Sequence, residues 1–333
     1  MRKIIKRLTI LLMTASLLCA WTAGCGTGPQ QQRYAYPLAT ASPEDTVTQI
    51  YAVKFAEEVS RLSEGRILIQ VYANSTLGGD RELLESCKDG DIPFVVQNTA
   101  PQVAFMPDLA VFDVPCVFGD LAECRQVLDD PSFLPLISGV YEKGGYRLLG
   151  IADQGFRVMS TNRPVHGIAD FRGQKIRTME NPYHLAFWKS IGANPTPMSF
   201  AEVYVGLQQH TIDAQENPYE VIVSNRLYEQ QDYVVETNHL PHLITLIMNE
   251  AFFENMPPED RAVLEQAAKT ATEYARQASD DRISDRVNTI LESGTQILSV
   301  DDETRQDIID ASASVREEIR GKVMPEIFDA YIR

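Results

Sequence analysis

Two arginines and an asparagine are the residues of this 333-residue chain whose types and spacing could do chemistry. Arg157 stands in GFRVMST, Arg177 in GQKIRTM, and Asn217 near the close of IDAQENP. A guanidinium presents its donors in a fixed fork that matches both oxygens of a carboxylate. Two such forks beside an asparagine amide suit a small organic anion. Arg157 sits between Phe156 and Val158, and Arg177 follows Ile176, so both cations are expected to be partly buried. Such burial costs on the order of several kcal/mol unless an anion meets the charge. That anion is either a ligand or a structural carboxylate, and with 46 Asp and Glu in the chain a salt bridge could account for either arginine singly.

Helical and strand patterns alternate around these residues, which predicts an α/β protein. Strand-like runs at 146–152, 156–160 and 175–178 carry the two arginines. A helix over 182–191 and a second over 200–207 follow; Ser199, with Glu202 three residues on, reads as a capping box for the second. Upstream, Val47, Ile50, Tyr51, Phe55, Val59 and Leu62 form a helical stripe ended by Gly65. A strand over 66–72 leads to the Leu77-Gly78-Gly79-Asp80 turn and a helix over 81–88. The Gly-Gly lacks the Lys and Ser/Thr of a phosphate-binding loop. After a strand at 93–97, Gln97, Asn98 and Thr99 form a polar cluster. Ligands gather at the carboxyl ends of strands in open α/β sheets, so the cluster is a cleft candidate or a surface turn, with equal weight. A helical pattern over 257–291 would extend about 50 Å. A strand over 296–300 and a helix from Asp301 close the chain.

The ordered series GFR, G-x-K-I-R, IGANPTPMSFAEVY, LQ and IDAQENP resembles the solute receptors of tripartite ATP-independent periplasmic (TRAP) transporters. The resemblance is densest over 173–218 and extends more weakly from the 57–79 region to the C-terminal helix. It implies a two-lobed periplasmic-binding-protein-like fold, with one long helix crossing both lobes and a ligand cleft between them. Under it Arg177 makes a bidentate bond to a carboxylate, Arg157 adds a second cationic contact, and Asn217 orients the ligand. An aromatic ring at Phe200 would lie over the ligand; as a residue of the helix start alone, Phe200 would be a packing staple. Tyr183, His184 and Tyr219 are further cleft candidates that would serve equally well as rim residues. Where such receptors carry Gly, this chain has His210 and Ala214, so either His210 adopts a left-handed conformation or the turn differs.

The amino terminus sets the compartment independently. Arg2, Lys3, Lys6 and Arg7 precede an apolar core from Leu8 to Ala20, too short to span a bilayer and laid out as an export signal. Thr22-Ala23-Gly24-Cys25 resembles a bacterial lipobox, making residues 1–24 a leader, Cys25 the lipid-bearing residue, and 25–36 a tether. Ordinary signal cleavage near the same place would leave a freely soluble protein instead. The formal charge of −16 argues against nucleic acid and against anionic membrane surfaces as partners, leaving a lipid anchor as the one membrane contact. Cys116 and Cys124 could pair or remain buried thiols. His239 and His242 in HLPH read as a loop at the end of an element, without a third metal ligand nearby. No metal or cofactor is implied.

The domain reading is lobe I over 34–153 plus 243–282 and lobe II over 154–242 plus 283–333. The function it supports is capture of a small organic acid and delivery to a TRAP permease driven by an ion gradient. A dicarboxylate, sugar acid, 2-oxo acid or aromatic acid would each fit. A receptor serving a signalling system is the alternative, followed by a lipid-anchored enzyme. The enzyme is weakened by the lack of G-x-S-x-G and H-E-x-x-H.

Overall fold

The structure, a computed structural model, describes residues 33–332; the export signal, Cys25 and most of the expected tether lie outside the described residues. Its frame is a nine-stranded mixed sheet. The strands are β1 (Tyr34–Ala39), β2 (Ile67–Tyr72), β3 (Phe94–Asn98), β4 (Tyr146–Thr161), β5 (Lys175–Thr178), β6 (Asn194–Pro197), β7 (Ala214–Asn217), β8 (Tyr233–Asn249) and β9 (Gln296–Ser299). Their order is β2-β1-β3-β8-β4-β7-β5-β6, with β9 on the free stretch of β8. Tyr34 to Tyr36 therefore belong to a strand and not to a tether, because Tyr36 packs edge-on against Phe252 and its strand pairs with β3.

The antiparallel pair β4 and β8 runs the length of the sheet and joins its two ends. Residues 146–153 of β4 face 243–249 of β8 beside β3, whereas 157–161 face 233–240 beside β7. The runs read as two strands, 146–152 and 156–160, are thus one strand interrupted by a bulge between Asp153 and Phe156. Gly155 supplies the positive φ of +88° that the bulge requires. Pro241 pairs opposite Phe156 at this irregularity, where a missing N–H breaks no regular ladder bond, so the HLPH segment lies inside β8 and not in a loop.

Side chains alternate between the faces of each strand. At one end Val95, Leu243 and Ile247 enter one apolar cluster while Phe94, Val96, Ile244 and Met248 enter another. At the other end Met159 and Val235 enter a third, and Val158 and Val234 a fourth. Two cores at each end of one sheet make a two-lobed α/β fold.

Five of the helices bear on the site: α1 (Val47–Leu62), α2 (Asp80–Asp89), α3 (Pro182–Ser190), α4 (Tyr219–Ser224) and α5 (Pro258–Glu292). Helix α5 buries Leu264, Ala267, Ala271 and Ala275 in a core shared with Phe55 of α1, and Ile290 in a core shared with Val203. It therefore crosses both lobes. A side chain at Gly150 would collide with Thr272 and Tyr51, so the glycine is what lets α5 lie directly on β4. Arg282 and Arg286 of α5 hold Asp45 and Glu220. Val315, Ile319, Ile327 and Tyr331 pack into the cluster that contains Val95, so the last helices rest on the first-lobe core. Cys87, Cys116 and Cys124 are free thiols.

Candidate functional site

Strand β5 pairs in parallel with β7, placing Arg177 beside Gln215, and β7 ends at Asn217. Arg177 is 2% exposed. Its Nε and Nη2 both donate to the Met198 carbonyl at 2.9 and 2.7 Å, which fixes the plane of the guanidinium. The remaining nitrogen, Nη1, is buried without a hydrogen-bond partner. The group lies 5.8 Å from the centre of the Phe200 ring. Burial lowers its pKa to about 10, partly countered by Glu216, so it stays charged at neutral pH.

Arg177 borders a cavity of about 200 Å³ with Asp80, Glu82, Glu180, Ser199 and Phe200. It also borders an adjoining space of about 40 Å³ that reaches Asn98, Asn217 and His242. Arg177, Phe200, Asn217 and Asn98 are therefore brought together. The Asn98 amide is braced by its bond to the Leu243 carbonyl at 2.8 Å and by the Ala100 N–H at 2.9 Å. Ser199 forms no side-chain cap, because the turn starts as a 3-10 helix over Phe200–Glu202, so the expected capping box is absent. His210 does adopt the left-handed conformation, at φ +55°.

The other candidates lie elsewhere. Arg157 is 1% exposed, and its Nε and Nη2 grip the Glu216 carboxylate. Nη2 also donates to the Glu216 carbonyl at 2.6 Å and the Asn217 Oδ1 at 3.2 Å, and Nη1 meets His242 Nδ1. It does not border the cavity; the structural carboxylate is its partner. Gln97 and Thr99 are buried off the cavity, and both polar atoms of the Gln97 side chain lack partners. Tyr183 packs in the first-lobe core. Tyr219 donates to Glu236 at 2.8 Å and borders a separate space of about 170 Å³.

Sequence reasoning missed Asp80, Glu216 and His242. Glu216 stood inside the quoted IDAQENP, but nothing in an isolated strand of polar residues marks one of them as a fully buried acid. Burial opposes its ionisation, yet Arg157, the nearby His184 and a hydrogen bond to His239 hold its carboxyl well below the usual range. His184 bridges Glu216 to Asp113, which lies at the end of a 3-10 helix of the first lobe. Burial disfavours a charge on His184, but the hydrogen bond to Asp113 and the proximity of Glu216 outweigh it and hold its pKa at about 9. An unfolded histidine titrates near 6.5. This stabilisation is complete below pH of about 6.5 and is lost as pH rises through about 9, a change of roughly 3 kcal/mol at most. Thermal melts across that window should show falling stability in the wild type and a flatter profile in His184→Gln.

Asp80 opens α2 directly after Gly78-Gly79, where the helix amino terminus favours an anion. Burial pushes its carboxyl up to about 6, with Arg177 pulling the other way, so it is mostly ionised at neutral pH. Among the described residues no cluster of His, Cys, Asp and Glu could hold a metal ion, and no helix is long and apolar enough to cross a membrane.

Comparison with known proteins agrees with this geometry. The family model for bacterial extracellular solute-binding proteins, family 7, matches residues 38–322. A solute-binding protein of Verminephrobacter eiseniae is 34% identical over 252 residues, 75% of each chain. The 2,3-diketo-L-gulonate-binding periplasmic protein YiaO of Escherichia coli is 29% identical over 89% of this chain and 88% of its own. Among solved structures, the sugar acid binding protein DctPAm of Advenella mimigardefordensis, in complex with galactonate, superposes with a TM-score of 0.86. That match has 27% identity and covers 90% of this chain and 97% of the other. A two-lobed α/β fold shared with a solved sugar acid binding protein, and a family match across nearly all of the described chain, lead to one conclusion: the protein belongs to family 7 of the bacterial extracellular solute-binding proteins, the solute receptors of TRAP transporters.

Proposed function

We propose that the cavity captures a small organic acid through its carboxylate and that the loaded receptor delivers it to a TRAP permease. The observation that carries this reading is Arg177 itself, a buried, charged guanidinium that borders the cavity and whose Nη1 has no hydrogen-bond partner. A buried cation kept without a direct ion pair is costly, and a carboxylate ligand would complete its fork. Asn217 and Asn98 would contact the ligand, Phe200 would cover it, and Arg157, held by Glu216, would fix Asn217 from behind. No step of this cycle breaks a bond, so bound acid should be recovered unchanged.

Lobe I would comprise 34–153 and 243–282 and lobe II 154–242 with the end of α5, β9 and the helix after it. The segment from Val315 to Tyr331 would go with lobe I, whose core it joins. Closure would bend β4 and β8 at the bulge around Gly155. Export by the leader at 1–24 and lipid anchoring at Cys25 would keep the receptor beside its permease. Labelling with radioactive palmitate should mark the wild type and not Cys25→Ser.

The experiment that tests the function is a thermal-shift screen of the mature chain against sugar acids, dicarboxylates, 2-oxo acids and aromatic acids. A ligand that binds the folded state raises the melting temperature. An acid that does so, and is recovered chemically intact, is the expected result; turnover would point to an enzyme.

A further inference from the structure

The cavity offers a carboxylate one cation and then turns acidic. Asp80, Glu82 and Glu180 share it with Arg177. Asp80 is half-buried and, among the described residues, has no ion-pair partner. Arg81, the other cation on the rim, is exposed and bonded to Glu85 at 3.2 Å. Arg157 cannot serve as a second anion site, since Glu216 already neutralises it.

Resting on the carboxylate reading of the site, we propose that Asp80 determines specificity: the site takes monocarboxylates whose far end carries hydrogen-bond donors, hydroxyl or ammonium, and rejects dicarboxylates. An ionised carboxylate only accepts hydrogen bonds. A polyol tail or an ammonium group can satisfy Asp80, whereas a second carboxylate would meet it as a like charge. At about 5 Å and an effective dielectric near 20, that contact is worth roughly two decades of affinity. Asp80 also borders the smaller space beside Asn98 and Asn217, so it lines both of the spaces that Arg177 borders. The two amides there have their own partners and contribute no compensating charge.

Titration calorimetry with galactonate, ectoine and succinate tests this in the wild type, Asp80→Asn and Arg177→Ala. Galactonate presents hydroxyl donors and ectoine a cationic group, so the two probes separate the sources of the donor. The wild type should bind one of them at least about 30-fold tighter than succinate. Asp80→Asn should cut that ratio by about 10-fold or more, through gain of succinate binding as well as loss of the donor-bearing acid. Its melting temperature without ligand reports whether it folds. Succinate bound as tightly as either donor-bearing probe, or a ratio unchanged in Asp80→Asn, would overturn the proposal, as would binding of none of the three. Arg177→Ala keeps the two readings apart. Loss of all acid binding there, together with an unaltered ratio in Asp80→Asn, leaves the carboxylate site standing and removes Asp80 from specificity.

Discussion

Replacing Arg177 by alanine should weaken binding of the acid by about 3–5 kcal/mol, between two and four orders of magnitude in Kd. The variant would leave a carboxylate buried beside Phe200 with no cation, and the Met198 carbonyl would lose both of its donors. Stability should behave differently. An arginine that is 2% exposed and holds one nitrogen unbonded is a burden on the unliganded fold. Arg177→Met, which keeps the volume and removes the charge, should melt at or above the wild-type temperature while losing the acid. Equilibrium binding together with thermal melts checks both halves. Retained affinity in Arg177→Ala would remove this residue from the site.

The second large effect falls on stability. Glu216→Gln removes the countercharge of Arg157, a fully buried guanidinium, and takes a hydrogen-bond acceptor from His239. Breaking such a pair on one side costs about 3–5 kcal/mol, because the surviving charge has neither water nor a partner. Chemical denaturation should show a loss of this size. Arg157→Met combined with Glu216→Gln should recover part of it, since the stranded charge is then gone. Recovery marks the pair as structural. A Glu216→Gln variant as stable as the wild type would mean that water reaches Arg157, and that it stands nearer the ligand than its hydrogen bonds indicate.

The two arginines show where a sequence reading succeeds and where it stops. Both were recognisable as forks beside apolar residues, and the strand over 175–178 was legible from its β-branched and apolar alternation. Nothing local distinguished the one that faces the cavity from the one that faces an acid. Arg157 finds its carboxylate 59 residues away, across the β4–β7 register of Val158 with Asn217, and pairing at that distance leaves no mark on either segment. The long helix was readable to within a residue at each end because a 35-residue Ala- and Glu-rich pattern has few alternatives. Strand β8 was not, since Pro241 punctuates it as a turn would, and its tolerance there depends on a bulge in the opposing strand. Asp80 was seen only as part of a Gly-Gly turn, because its role comes from the cavity wall contributed by β5 and the Phe200 turn. His210 was the reverse case: a side chain where a glycine is expected does occupy the left-handed region.

Whether Arg177 receives the ligand's carboxylate is tested most directly by a crystal structure of the protein with the acid that most raises its melting temperature. The carboxylate should accept hydrogen bonds from Arg177 Nη1, beneath Phe200, with Arg157 still paired to Glu216. A carboxylate bound elsewhere, with Nη1 left unengaged, would contradict it.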